Sequence, residues 1–87
     1  MLEELIGDRI VIDFMSPFVC LGTLLRVDDH FLELKNADLH DLRDTDTSRE
    51  NYVAASVVTG VKRNRKKVLV RREEIVAVSR LADLSDG

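Results

Sequence analysis

Phe18-Val19-Cys20-Leu21-Gly22-Thr23-Leu24-Leu25-Arg26-Val27 is a ten-residue, largely apolar run broken by Gly22. Its β-branched and aromatic members favour extended backbone, and a glycine inside such a run marks a bend or bulge where a strand curls. Before it, Ser16-Pro17 makes a turn, because proline fixes φ and has no N–H to give to a ladder. Upstream of the turn, Arg9 to Phe14 alternates with Ile10, Ile12 and Phe14 on one face, the period of a strand. Downstream, Asp28-Asp29 turns the chain into Phe31-Leu32-Glu33-Leu34, with Leu32 and Leu34 directed inward. Three successive strands around a curled central one imply a small barrel.

The flanks complete it. Leu2, Leu5 and Ile6 keep helical spacing for one turn, which Gly7 ends, so a short N-terminal helix is expected. Asp38 to Asp46 is acidic and aperiodic and reads as loop. Thr47-Ser48-Arg49-Glu50 has the spacing of a capping box, in which hydroxyl and carboxylate satisfy the free donors of a helix start. Val53, Ala54, Val57, Val58 and Val61 then form an apolar stripe, with Gly60 where a helix stops. Residues 48–59 are read as helix, with strand as the competitor because valine and threonine lose rotamer freedom in helices. Val68 to Arg71 and Ile75 to Val78 are two short strands around Arg72-Glu73-Glu74, and the tail from Leu81 is expected to fray. The expectation is one domain over residues 1–87, mainly β, with a flexible tail at 82–87.

The chain has 87 residues, 45% hydrophobic and 33% charged, which suits one small globular domain and leaves no run able to span a bilayer. Met1-Leu2-Glu3-Glu4 begins with acid where a secretory signal needs a basic start, and Cys20 has no cysteine to pair with, so a cytoplasmic location is expected. The net charge of −3 conceals a strong segregation. Residues 1–50 carry −7 and the segment from 73 onward −3, whereas 51–72 holds Lys62, Arg63, Arg65, Lys66, Lys67, Arg71 and Arg72 and no acid. Such a block repels itself unless it is solvated or matched to something negative. Two readings stand side by side: a solvated loop neutralised by the acidic segment of a neighbouring subunit, or a contact surface for RNA or DNA.

Nothing in the chain assembles an acid, a base and a nucleophile. Cys20 lies in the most apolar strand, where a thiol is an inert small hydrophobe. His40-Asp41 with His30 and Cys20 could supply metal ligands, but their spacing matches no zinc arrangement. No enzyme activity, metal, cofactor or small-molecule substrate is therefore expected. His30 and Phe31 could stack on a base. The competing role for Phe31 is to open a strand and pack, and for His30 to sit in a turn. The valine stripe could dock a partner protein, and packing on its own barrel or on an adjacent subunit is preferred because an exposed stripe invites aggregation.

The order and spacing of these segments resemble the Sm-like proteins, as a divergent, bacterial-type member. The first Sm motif is similar to Leu5-Ile6-Gly7, Ile10-Val11-Ile12, Gly22-Thr23-Leu24 and Asp28, closed by Leu32 and Leu34; the second to Val68-Leu69-Val70-Arg71-Arg72-Glu73-Glu74-Ile75-Val76-Ala77-Val78. Residues 38–66 then form a long, partly helical insertion between the third and fourth strands. The resemblance implies a strongly bent five-stranded antiparallel SH3-like barrel capped by the N-terminal helix. It also implies a homo-oligomeric ring closed by pairing the fourth strand of one copy with the fifth of the next, and single-stranded RNA as partner. Carried over, the site comprises Asp28, His30 and Phe31 after the second strand and Arg71 and Arg72 after the fourth, to which the basic segment adds Lys62, Arg63, Arg65, Lys66 and Lys67. Two positions depart from the family: Phe31 and Leu32 occupy the stretch that holds a base-binding asparagine, and Arg72 replaces a glycine that lets backbone approach closely. Phosphate contact through arginine is the mode these residues favour, and a ring-forming protein scaffold is the alternative.

Overall fold

In a computed structural model that describes residues 1–44 and 47–84, the apolar run broken by Gly22 is one strand, β2 (Phe18–Val27), at the centre of a five-stranded antiparallel sheet. Its neighbours are β1 (Arg9–Phe14) and β3 (Phe31–Asp41), and the edges are β4 (Arg65–Arg71) beside β3 and β5 (Ile75–Arg80) beside β1. Gly22 works here as a close-approach residue. Leu21 pairs with Asp38 and Thr23 with Lys35, so Gly22 alone faces both Asn36 and Ala37, a bulge carried by β3 with Asn36 at φ 50°. A Cβ at Gly22 would lie 2.9 Å from the Cβ of Ala37, and only hydrogen fits there.

Each face of the sheet carries a buried cluster. Ile10, Ile12, Cys20, Leu24, Leu32 and Leu34, all fully buried, form the main core with Ala37 and Val70. On the other face Val11, Val19 and Leu21 meet Val53 of α1 (Arg49–Thr59) and Leu81. β4 and β5 lie at opposite ends of the strand order yet are joined by a three-residue 3-10 turn, Arg72–Glu74, which brings the sheet ends together there. No ladder joins β4 to β5 among the described residues, so the sheet is not closed and both edges are open.

Several local expectations change. The N-terminal segment is a single 3-10 turn, Leu2–Leu5, with Gly7 at φ 93°. Residues 38–41, read as loop, continue β3, because Asp38 to Asp41 pair with Leu21 to Phe18. A 3-10 turn, Leu42–Asp44, follows. β4 starts earlier than its apolar run, at Arg65, and β5 runs to Arg80. The helix cap is Ser48, whose hydroxyl accepts from the N–H of Asn51, while the Thr47 hydroxyl donates to the Ser48 carbonyl. Only part of the valine stripe is buried: Val53 is inside, Val61 partly so, and Val57 and Val58 are exposed. Leu81 is buried and Leu84 packs beside it; of the tail expected at 82–87, residues 85–87 lie outside the described residues.

Candidate nucleic-acid interface

The β2–β3 turn is built by one carboxylate. Asp28 Oδ1 accepts from the backbone N–H groups of His30 at 2.8 Å and Phe31 at 2.7 Å, which closes the turn and holds this carboxyl below its ordinary range, His30 being the larger cause. Arg72, opening the 3-10 turn after β4, then clamps the same loop. Its N–H donates to the His30 carbonyl at 2.9 Å and its guanidinium Nη1 to the Asp28 carbonyl at 2.5 Å. Two loops 44 residues apart in sequence are thereby locked together.

What they present outward is a small mixed surface. His30 is exposed, Phe31 is 38% exposed, and Phe31 pairs across the ladder with Arg71, so both side chains stand on one face. Arg71 is exposed and ion-paired with Glu73. A shallow hollow of about 130 Å³ beside Phe31 is lined by Arg26, Val27 and Leu69 among others, and Arg26 reaches Glu33 at 2.6 Å. The structure thus brings together Asp28, His30, Phe31, Arg71 and Arg72. It casts Asp28 and Arg72 as builders of the loops, with His30, Phe31 and Arg71 as the outward groups.

The basic segment lies elsewhere. Lys62 and Arg63 precede β4, and Arg65, Lys66 and Lys67 occupy its first turns of pleat. Arg65 and Arg71 are about 20 Å apart at the rise of a strand. Of the acids proposed to neutralise such a segment, Asp38 is buried and Asp41 is engaged by Arg43 at 2.8 Å. Burial raises the Asp38 carboxyl against the pull of His40 and Lys62.

Ion pairing divides the cations sharply. Arg26, Arg43, Arg49, Arg71 and Arg80 each lie within 4.0 Å of an acid, and Arg72 is taken up by carbonyls. Besides Arg72, those with no acid within 4.0 Å among the described residues are Lys62, Arg63, Arg65, Lys66 and Lys67, together with Arg9 and Lys35. Sequence reasoning missed Arg9 and Lys35, because only strand register brings them to the basic segment.

Two further features fix the frame. The rings of His40 and Tyr52 stack at 4.2 Å and 7°, tying α1 to β3. Both oxygen and nitrogen of the Asn64 carboxamide bond the backbone of Leu39 at 3.0 Å, extending the β3–β4 ladder by a side chain. Cys20 is fully buried, and burial, with a smaller push from Asp38, raises its thiol to about 12. It stays protonated at neutral pH. No helix of the described residues is long and apolar enough to cross a membrane.

No family model matches the sequence, and no curated protein does. Solved structures do match in fold. An Sm protein of Pyrococcus abyssii in complex with a uridine heptamer superimposes with a TM-score of 0.63 at 16% identity, over 91% of this chain and 90% of that one. An Sm-like protein from Archaeoglobus fulgidus gives 0.61 at 18% identity, over 92% and 88%. A chain of the NatC complex bound to Gag peptide and CoA gives 0.58 at 18%, over 90% and 80%. The fold is therefore Sm-like, mainly β, with five antiparallel strands in one sheet.

Proposed function

We propose that the chain is a non-enzymatic, cytoplasmic Sm-like module that assembles into a ring and binds single-stranded RNA. The observation that carries this reading is the clamp of Arg72 on the β2–β3 turn. It holds two loops from distant parts of the sequence in one place and leaves a histidine, an aromatic ring and an arginine facing out. That combination suits a nucleotide: a ring to stack on a base and a guanidinium for a phosphate. The basic segment Lys62, Arg63, Arg65, Lys66 and Lys67 adds sequence-independent phosphate contacts. The likeness to an Sm protein in complex with a uridine heptamer favours RNA over DNA.

Assembly follows from the edges. β4 and β5 present unpaired backbone groups, and they carry Leu69 at 59% and Val76 at 65% exposure. Pairing β4 of one copy with β5 of the next would satisfy the first and cover the second. Residues 1–87 form a single domain on this reading, strongly bent, with the insertion between the third and fourth strands narrowed from the expected 38–66 to 42–64, because 38–41 belong to β3 and 65–66 to β4.

The test combines native mass with binding of a fluorescent uridine oligonucleotide at several salt concentrations. A ring of defined mass is expected, Leu69→Asp should dissociate it, and binding should weaken steeply with salt. Joint replacement Arg71→Ala and Arg72→Ala should reduce affinity. An intact ring that binds no oligonucleotide at low salt would leave the protein scaffold as the function.

A further inference from the structure

Register places cations that are far apart in sequence in one row. Arg9 pairs with Thr23, Thr23 with Lys35 and Lys35 with Lys67, so these four side chains stand on the same face of β1, β2, β3 and β4. Lys35 directly opposes Lys67, a like-charge pairing that works against the sheet. Beside the row, the bulge at Gly22 and Asn36 and the end of α1 at Gly60 leave a concavity of about 280 Å³. Its polar lining is Arg9, Thr23, Asn36 and Arg63, two guanidiniums with a hydroxyl and a carboxamide. None of these cations has an acidic partner among the described residues.

We propose that this row and concavity form a second anion site for the phosphodiester backbone of RNA, separate from the β2–β3 and β4–β5 loops. Two arginines converging on one hollow suit a tetrahedral oxyanion, which a guanidinium binds through paired N–H donors. Arg9 and Lys67 are three strand spacings apart, about 14 Å, so the row fits a repeating polyanion better than a lone carboxylate. No side chain of the row or the polar lining is aromatic, so the site reads charge and leaves base identity unread. The choice of RNA rests on the proposed function; the anion site itself rests only on the row and the hollow.

The experiment uses the full chain carrying Arg9→Gln, Lys35→Gln and Arg63→Gln together, beside wild type and a loop variant with Phe31→Ala and Arg71→Ala. Native mass and thermal melting establish that each is assembled and folded, and Lys35→Gln alone is a milder variant should the triple one fail to fold. Affinity for long poly(U) and poly(A) is measured against salt, and inorganic polyphosphate is titrated separately. Losing three phosphate contacts should flatten the log–log salt slope by about 2 and weaken binding about a hundredfold at 0.1 M salt, equally for both polymers. The loop variant should keep most of the slope. An unchanged slope in the triple variant would overturn the second site, as would poly-glutamate binding there as tightly as RNA. Polyphosphate that binds wild type and not the triple variant, with no RNA bound by either, would preserve the anion site and reject the RNA function.

Discussion

The backbone N–H of Arg72 bonds the carbonyl of His30 at 2.9 Å, and this contact makes the 3-10 turn after β4 and the turn after β2 one structural unit. The Arg72 side chain reinforces it through the Asp28 carbonyl, whereas Arg71 points away and pairs with Glu73. Adjacent arginines therefore have different work: one builds the surface and the other faces out from it.

Arg72→Ala should cost about 1 kcal/mol of stability, the worth of a typical net hydrogen bond, while Arg71→Ala should change stability by less than about 0.5 kcal/mol. Both should weaken oligonucleotide binding. Urea unfolding separates the two, and equal destabilisation by both variants would contradict the division of roles.

Gly22→Ala should destabilise by about 1–3 kcal/mol, because the new Cβ would meet Ala37 Cβ at 2.9 Å and its Cα at 3.1 Å inside a packed bulge. Ala37→Gly in the same chain should recover part of that loss, since the nearest of the three obstructing atoms disappears while Ala37 Cα and Leu34 Cδ2 remain. A double-mutant cycle in urea measures the coupling, and additivity of the two changes would show that the clash is absent.

Ser48→Ala should lower stability by about 1 kcal/mol, and Thr47→Ala by much less, because Ser48 is the residue that accepts from the N–H of Asn51. Thermal unfolding followed by circular dichroism compares them. A larger effect at Thr47 would restore the capping box one residue earlier.

The strands around Gly22 were legible because their apolar residues alternate in a clear period, and Leu32 and Leu34 are fully buried as that period requires. The end of β3 was not, since Asp38, His40 and Asp41 look like loop until pairing with β2 is known. The same blindness hid Arg65 to Lys67 in β4, where edge strands tolerate charge. For the candidate site, motif order pointed to Asp28, His30, Phe31, Arg71 and Arg72, which the fold brings together, but residue type alone does not distinguish a turn-building carboxylate from a ligand-binding one. Arg9 and Lys35 needed the register, which a bulge at Asn36 shifts by a residue and no local pattern records.

Acid should act on this protein in two opposite directions. Hydrogen bonds from the Arg43 side chain, then its backbone N–H, hold Asp41 at about 2, and those from His30 and Phe31 lower Asp28. Both carboxylates favour the folded state when charged, so their stabilisation is complete above the ordinary value of 3.8 and is lost as pH falls through the lowered folded values. Asp38 is raised, chiefly by burial, so the folded state takes up its proton first. Its charge costs stability at neutral pH, and that cost fades as pH falls from the raised folded value to 3.8. Asp38→Asn should therefore be more stable than wild type at pH 7, with the difference shrinking in mild acid. Asp41→Asn should be less stable at pH 7 and should lose less on going from pH 4 to pH 2. Urea midpoints across pH 2–7 check both, and an Asp38→Asn variant less stable than wild type at pH 7 would mean that the buried carboxylate's partners outweigh its desolvation.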